Sequence, residues 1–252
     1  MTINFGRDYA LLYDALNLGK DYEREAQFIV EKTISTLARD GPMSILDIGC
    51  GTGRHLEFLS RSFSRITGLD RSPDMAALAQ HRVPHARIEV GDAGTVDLEE
   101  VFDVITAVFD VLSYQTTNNA AVHFFTSIRK HLAPGGVALV DFWHLPGLIA
   151  DPPSTRATRG CVEGRHFLRV SSAAVDWVSA TTEVSITTLQ WGNSEMFNVV
   201  DEKHSMRAFL ISEVVALAQL AGLRIDRSGG WLSNQDAKQS DWHAYVTLRH
   251  ND

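Results

Sequence analysis

A short apolar run, Ile45-Leu46-Asp47-Ile48, leads directly into Gly49-Cys50-Gly51-Thr52-Gly53, and no other stretch of the chain restricts its fold as much. Glycine carries no Cβ, so the backbone can turn sharply and bring its N–H groups close to a ligand, and the helix that follows starts with unpaired donors. A strand, a glycine loop and a helix in this order cradle a nucleotide-like molecule. The spacing narrows which one. A dinucleotide fingerprint, G-x-G-x-x-G, needs its third glycine three places after the second, because the helix must pack tightly on the strand. Here Arg54 stands at that place, and the glycines fall at 49, 51 and 53, with Asp47 two residues ahead of them. A plain strand-to-helix turn can look the same, so the surroundings decide.

Arg65-Ile66-Thr67-Gly68-Leu69-Asp70 reads as a second strand. It ends in a carboxylate roughly 20 residues beyond the glycines, the distance at which open α/β folds place an acid for two ribose hydroxyls. Ser72-Pro73-Asp74-Met75 then supplies an N-cap serine, a first-turn proline and an early acid, which start a helix. A third strand over 86–90 leads to Gly91-Asp92-Ala93, a fourth covers 102–109, and a helix begins near Asn118. Leu132-Ala133-Pro134-Gly135-Gly136 precedes a fifth strand over 137–142.

With these motifs in register, the chain resembles the class I S-adenosylmethionine-dependent methyltransferases over roughly Ser44 to Phe142. The resemblance implies that the methionine moiety of S-adenosyl-L-methionine lies over Gly49, Gly51 and Gly53 behind Asp47. Asp70 then accepts the ribose hydroxyls with Arg71 beside it, Asp92 and the Ala93 amide read the adenine edge, and Val108 at the end of strand four joins the cofactor wall. The fold it implies is a doubly wound, seven-stranded, mostly parallel α/β sheet. The sequence divides into an N-terminal helical lid over 1–40, the cofactor-binding core over 41–142, an antiparallel β insertion over 143–209, and a C-terminal helix and strands over 210–252 that complete the core.

Charge and composition exclude other classes. A net charge of -8 without a Lys/Arg run gives no basic stripe for nucleic acid. No apolar run reaches the length of a membrane helix, and the start lacks a basic-then-apolar signal pattern, so a cytoplasmic protein is expected. Cys50 and Cys161 build no disulfide framework, and Pro84 between His81 and His85 spoils a shared helical face, so no metal site is expected.

Leu11, Leu12, Ala15 and Leu16, then Phe28, Ile29, Ile34 and Leu37, fall at helical spacing, which predicts two N-terminal helices broken at Gly19. Leu12-Tyr13-Asp14 and Gly19-Lys20-Asp21-Tyr22 with Glu25-Ala26 look like the N-terminal segment of the methyltransferases that N-methylate amino groups on nucleotide-linked deoxysugars. That narrower resemblance makes Tyr13 and Tyr22 cofactor contacts; amphipathic packing is the other reading of both. Beyond strand five, 166–175, 182–191 and 202–209 are rich in β-branched and aromatic residues without helical caps. They are expected to form a small antiparallel sheet covering the substrate, through which a homodimer could form. A helix over 211–221 closed by Gly222, a strand over 223–226 and a last strand over 242–248 complete the chain.

A sulfonium methyl is already activated, so alignment and water exclusion matter most, but an alkylammonium must lose a proton before it can attack. The groups to examine end strands four and five: Asp110, Tyr114 and His144. The sugar N-methyltransferases carry Phe-Ser-Ser-Ile-Gly-His where this chain has Phe109-Asp110-Val111-Leu112-Ser113-Tyr114, a departure that leaves the acceptor open. Asp110 can hold an ammonium or cap a helix, Tyr114 can orient a nucleophile or simply be buried, and His144 can take a proton or satisfy a loop carbonyl. A nucleotide-sugar would also need cations, for which Lys20, Arg156, Arg159, Arg165 and Arg169 are candidates unless they form a solvated face. Asp151-Pro152-Pro153 is similar to the Asp-Pro-Pro-Tyr motif of exocyclic-amine methyltransferases, but it follows strand five and lacks the aromatic. The sequence is thus expected to encode a small-molecule methyltransferase acting on an amino group of a nucleotide-linked deoxysugar. An O-methyltransferase of a sugar or secondary metabolite and a non-catalytic cofactor-binding subunit are the alternatives.

Overall fold

A computed structural model describes residues 13–17, 19–37, 41–162, 164–192 and 198–251. Leu11 and Leu12 of the first expected helix lie outside that range. Asp21 caps the first full helix, α1 (Tyr22–Ile34), its carboxylate accepting from the Arg24 N–H at 3.0 Å.

The core alternates strand and helix: β1 (Ser44–Ile48), α2 (Arg54–Leu59), β2 (Arg65–Asp70), α3 (Pro73–Arg82), β3 (Arg87–Val90), β4 (Phe102–Ala107), α4 (Asn118–His131) and β5 (Leu132–Trp143). After the insertion come α6 (Ile211–Leu220), β10 (Leu223–Gly230) and β11 (His243–His250). The seven-stranded sheet runs β10-β11-β5-β4-β1-β2-β3, parallel except where β11 lies antiparallel between β5 and β10. Every residue of β1 and β4 is buried, as strands covered by helices on both faces must be. Successive residues serve opposite faces: Ile45, Val104 and Leu139 pack with Phe28, Leu56 and Ala79, whereas Leu46, Ile105 and Val140 pack with Phe124, Ile128 and Leu217. This is the expected doubly wound fold.

Several boundaries differ from the expectation, two of them in the central strands of the sheet. β4 stops at Ala107, because Phe109 and Asp110 take left-handed backbone angles and cannot continue a strand. β5 begins at Leu132, ahead of the Pro134-Gly135-Gly136 turn signal, with a register irregularity against β4 that absorbs it.

The insertion holds a short helix, α5 (Leu145–Ala150), then a separate antiparallel sheet in the order β6 (Arg156–Val162), β7 (Arg165–Asp176), β8 (Thr181–Trp191) and β9 (Asn198–Arg207). β6 escaped the sequence reading because Arg156-Ala157-Thr158-Arg159-Gly160 is largely exposed and carries no apolar alternation. Among the described residues, no helix is long and apolar enough to cross a membrane.

Candidate active site

A cavity of about 670 Å³ opens at the carboxyl ends of β1 to β5, with β7, β8 and β9 forming one wall. On its first side the glycine loop divides three tasks. Gly49, at φ +72°, passes so near the loop after β4 that an added Cβ would lie 2.5 Å from Val111 Cγ2. Gly51, at φ +55°, has no atom of the described residues within 4 Å of an added Cβ and lines the cavity. Gly53 faces away from the cavity, tight against Ala79 of α3.

The Asp70 carboxylate accepts the Gly51 N–H at 2.8 Å and the Ser72 N–H at 2.8 Å, which fixes it on the cavity wall beside Arg71. Burial raises its pKa, against the pull of those two N–H groups. Asp92 and Ala93 also line the wall, and Asp92 Oδ1 takes the Gly94 N–H at 2.9 Å. Asp47 and Val108 are not on the wall. Asp47 is 1% exposed behind the loop, where Thr106 Oγ1 donates to it at 2.8 Å and burial pushes its carboxyl up to about 6.

The N-terminal segment closes over this side. Tyr13 lines the cavity with its ring edge-on to Phe109, and Asp14 pins the segment to the loop by accepting from Thr52 Oγ1 at 2.7 Å and pairing with Arg82. Lys20 Nζ sits 4.1 Å from the Phe109 ring centroid and 2.6 Å from Glu25 Oε1, while Glu25 Oε2 meets His55 Nε2 at 2.6 Å. Tyr22 is buried one step behind, against His55 and off the cavity wall. Among the described residues its hydroxyl is buried without a hydrogen-bond partner, and burial, helped by Asp14 and Glu25, pushes it up to about 12.

The second side is built around an unusual turn. Phe109 and Asp110 stand consecutively at φ +67° and +71°, and Asp141 of β5 holds them there by accepting both N–H groups, at 2.9 and 2.8 Å. Burial and the neighbouring Asp110 charge push the Asp141 carboxyl up to about 7. Asp110 thereby faces the cavity, its Oδ1 3.4 Å from Nε2 of His243, the first residue of β11. Burial disfavours a charge on His243, yet Asp110 and Asp141 outweigh it and raise its pKa. Tyr114 also lines the cavity, its hydroxyl 3.3 Å from Nδ1 of His204, which burial and Arg169 push down to about 4.

His144 is turned elsewhere. It is 5% exposed and absent from the cavity wall, its Nδ1 faces the Asp241 carbonyl at 3.1 Å, and burial lowers its pKa. Of the candidate cations, Arg156 and Arg169 line the cavity, whereas Arg159 and Arg165 do not. Lys20 points to Glu25 and Phe109 instead. Sequence reasoning missed His204 and His243. No motif marks His204, but His243 was within reach, since an antiparallel last strand must begin beside the carboxyl ends of its parallel neighbours.

S-adenosylmethionine fits this cavity: open backbone at Gly51, the fixed Asp70 carboxylate and Asp92 match a molecule with hydroxyls and an amino acid end. Fold and site together define an S-adenosylmethionine-dependent methyltransferase. Residues 45–136 match the family model of a methyltransferase domain. The chain is 31% identical to dTDP-4-amino-2,3,4,6-tetradeoxy-D-glucose N,N-dimethyltransferase of Saccharopolyspora spinosa, over 88% of both chains. It is 32% identical to dTDP-3-amino-3,4,6-trideoxy-alpha-D-glucopyranose N,N-dimethyltransferase of Streptomyces venezuelae, over 87% of this chain and 91% of that one. The structure of S-adenosylmethionine-bound CalS10, an amino pentose methyltransferase from Micromonospora echinaspora, superposes with a TM-score of 0.76 at 26% identity, covering 99% of each chain. The chain belongs to the methyltransferase family that contains these amino-sugar N,N-dimethyltransferases.

Proposed function

We propose that this enzyme N-methylates an amino group on a nucleotide-linked deoxysugar in the cytoplasm. The observation that carries the reading is Asp110, a buried carboxylate that a left-handed turn presents to the cavity beyond β4. A carboxylate so placed recruits an ammonium, whereas a sugar hydroxyl would gain little from it. The relatives at about 30% identity, which act on amino sugars carried by dTDP, support the same substrate class.

The backbone of Gly49 and Gly51, with Tyr13, would hold the methionine end of the cofactor, while Tyr22 braces the segment from behind; Asp70 and Arg71 would hold the ribose, and Asp92 with the Ala93 amide the adenine. Bound there, S-adenosylmethionine supplies an electrophilic methyl group on a sulfonium. Asp110 holds the substrate ammonium, and the Tyr114 hydroxyl orients the sugar. Trp143 and Trp242, edge to face at 5.6 Å, and the β7–β9 face exclude water around it. Arg156 and Arg169, which line the cavity, would supply the cations that a diphosphate needs.

Labelled methyl transfer from S-adenosylmethionine should be measured with the dTDP-amino sugars named for the relatives and with their hydroxyl-bearing counterparts. Transfer to the amino sugars is expected. Transfer confined to the hydroxyl compounds would overturn the reading.

A further inference from the structure

The cavity is chemically divided. Gly51, Asp70 and Asp92 lie at the carboxyl ends of β1, β2 and β3, while Asp110, Trp143 and His243 cluster where β4 and β5 end and β11 begins. β11 runs antiparallel to β5 with His243 opposite Trp143, so its first residue stands on the acceptor's side of the sheet edge. Across from it, Asp110 is fixed by a turn whose two N–H groups are both taken by Asp141. The contact between them is an ion pair, His243 Nε2 to Asp110 Oδ1 at 3.4 Å, and it falls short of a hydrogen bond; among the described residues neither Asp110 Oδ1 nor His243 Nδ1 has a hydrogen-bond partner. A carboxylate this close favours the proton on the imidazole nitrogen that faces it, which leaves a lone pair on the other.

We infer that His243, oriented by Asp110, is the proton acceptor that converts the substrate ammonium into a nucleophilic amine. The inference rests on the amino-group substrate proposed above. An ammonium nitrogen has no lone pair. One of its N–H bonds breaks, the electron pair stays on the substrate nitrogen, and the proton goes to Nδ1 of neutral His243, which becomes an imidazolium paired with Asp110. The His243 side chain is 38% exposed, so the proton can pass on to water and the ring returns to its neutral form.

The charged groups around His243 make it the better base of those present. Asp110 and Asp141 raise its pKa, while burial and Lys20 of the N-terminal segment oppose them. His204, pushed down to about 4 and engaged by Tyr114, is too weak a base to accept a proton from an alkylammonium. Because His243 must be neutral to act, turnover should rise with pH through an ionisation above the ordinary histidine value of about 6.5.

The test uses the full chain, the dTDP-amino sugar that it methylates fastest, and the variants His243→Gln and Asp110→Asn. In the wild type, log kcat/KM should rise through that ionisation. His243→Gln should lose the limb and fall about 100-fold near neutral pH, with cofactor affinity unchanged. A second readout needs no turnover and keeps the question open to refutation should the glutamine variant not fold: histidine NMR titration of the ligand-free protein. There the His243 titration should move to lower pH in Asp110→Asn. An unaltered pH profile in His243→Gln, with transfer intact, overturns the role of His243 alone. A His243 titration indifferent to Asp110→Asn overturns the pairing. Absence of transfer to every amino sugar by the wild type overturns the proposed substrate, and this inference with it.

Discussion

The loops after β1 to β3 and the cluster where β4, β5 and β11 meet share one cavity, but they are made differently. The first is built from backbone: glycines at positive φ, and an Asp70 carboxylate satisfied by the N–H groups of Gly51 and Ser72 close by. The second is built from side chains brought together over long separations, Asp110 with His243, Tyr114 with His204 and Asp141 with the turn at Phe109. A backbone cradle suits a ligand that never changes. A side-chain cluster can be altered by single substitutions without touching that cradle, so acceptor choice can vary over a constant cofactor site.

The sharpest way to separate the two is Asp141→Ala. It strips the turn N–H groups of their acceptor, at about 1–3 kcal/mol for each buried orphan, and leaves two non-glycine residues unsupported in the left-handed region. A loss of about 4 kcal/mol in urea unfolding is expected. Methyl transfer should disappear while the surviving folded protein still binds S-adenosylmethionine within about threefold of the wild type. Loss of cofactor affinity to the same degree as stability would show that the two sides are one unit.

That same division explains what the sequence disclosed. The glycine loop, Asp70 and Asp92 were legible because backbone geometry is set by residues adjacent in the chain, and glycine at 49, 51 and 53 is a local requirement. The doubly wound sheet was legible for a similar reason, since strands buried on both faces are continuously apolar. The acceptor side was only half legible. Asp110 and Tyr114 could be placed at the end of β4, but their partners depend on where β9 and β11 dock, and no local pattern encodes that. His144 illustrates the error this invites: sequence adjacency to Trp143 suggested the cavity, whereas its ring turns toward the Asp241 carbonyl.

Asp47 tests whether a buried charge behind the cradle shapes stability. An aspartate in the unfolded chain titrates near about 3.9, and in the folded chain burial holds Asp47 at about 6. Between those values the folded state keeps a proton that the unfolded state has released, so this group's contribution to stability falls as pH rises across the window and is constant above it. Asp47→Asn removes the titration and keeps an oxygen for the Thr106 hydroxyl. Measured by urea unfolding at several pH values, the variant should gain on the wild type by about 3 kcal/mol between pH 3 and pH 7. Parallel curves would mean that folding leaves the Asp47 pKa where the unfolded chain has it.

The smallest expected effect is the most local. Asp70→Ala should weaken S-adenosylmethionine binding by about 2 kcal/mol, or about 30-fold, because charge-assisted hydrogen bonds to the ribose hydroxyls disappear. The same substitution frees the Gly51 and Ser72 N–H groups, so a loosened loop could produce part of the loss. Asp70→Asn separates the two causes: it retains one acceptor oxygen for the loop but no longer carries the charge. Calorimetry should place the asparagine variant between wild type and alanine, with urea midpoints near the wild-type value. An unchanged dissociation constant in Asp70→Ala would remove Asp70 from the ribose site. Near-equal affinity of wild type and Asp70→Asn would instead make the carboxylate a brace for the glycine loop, so that on this side, too, the contacts depend on the backbone rather than on the charge.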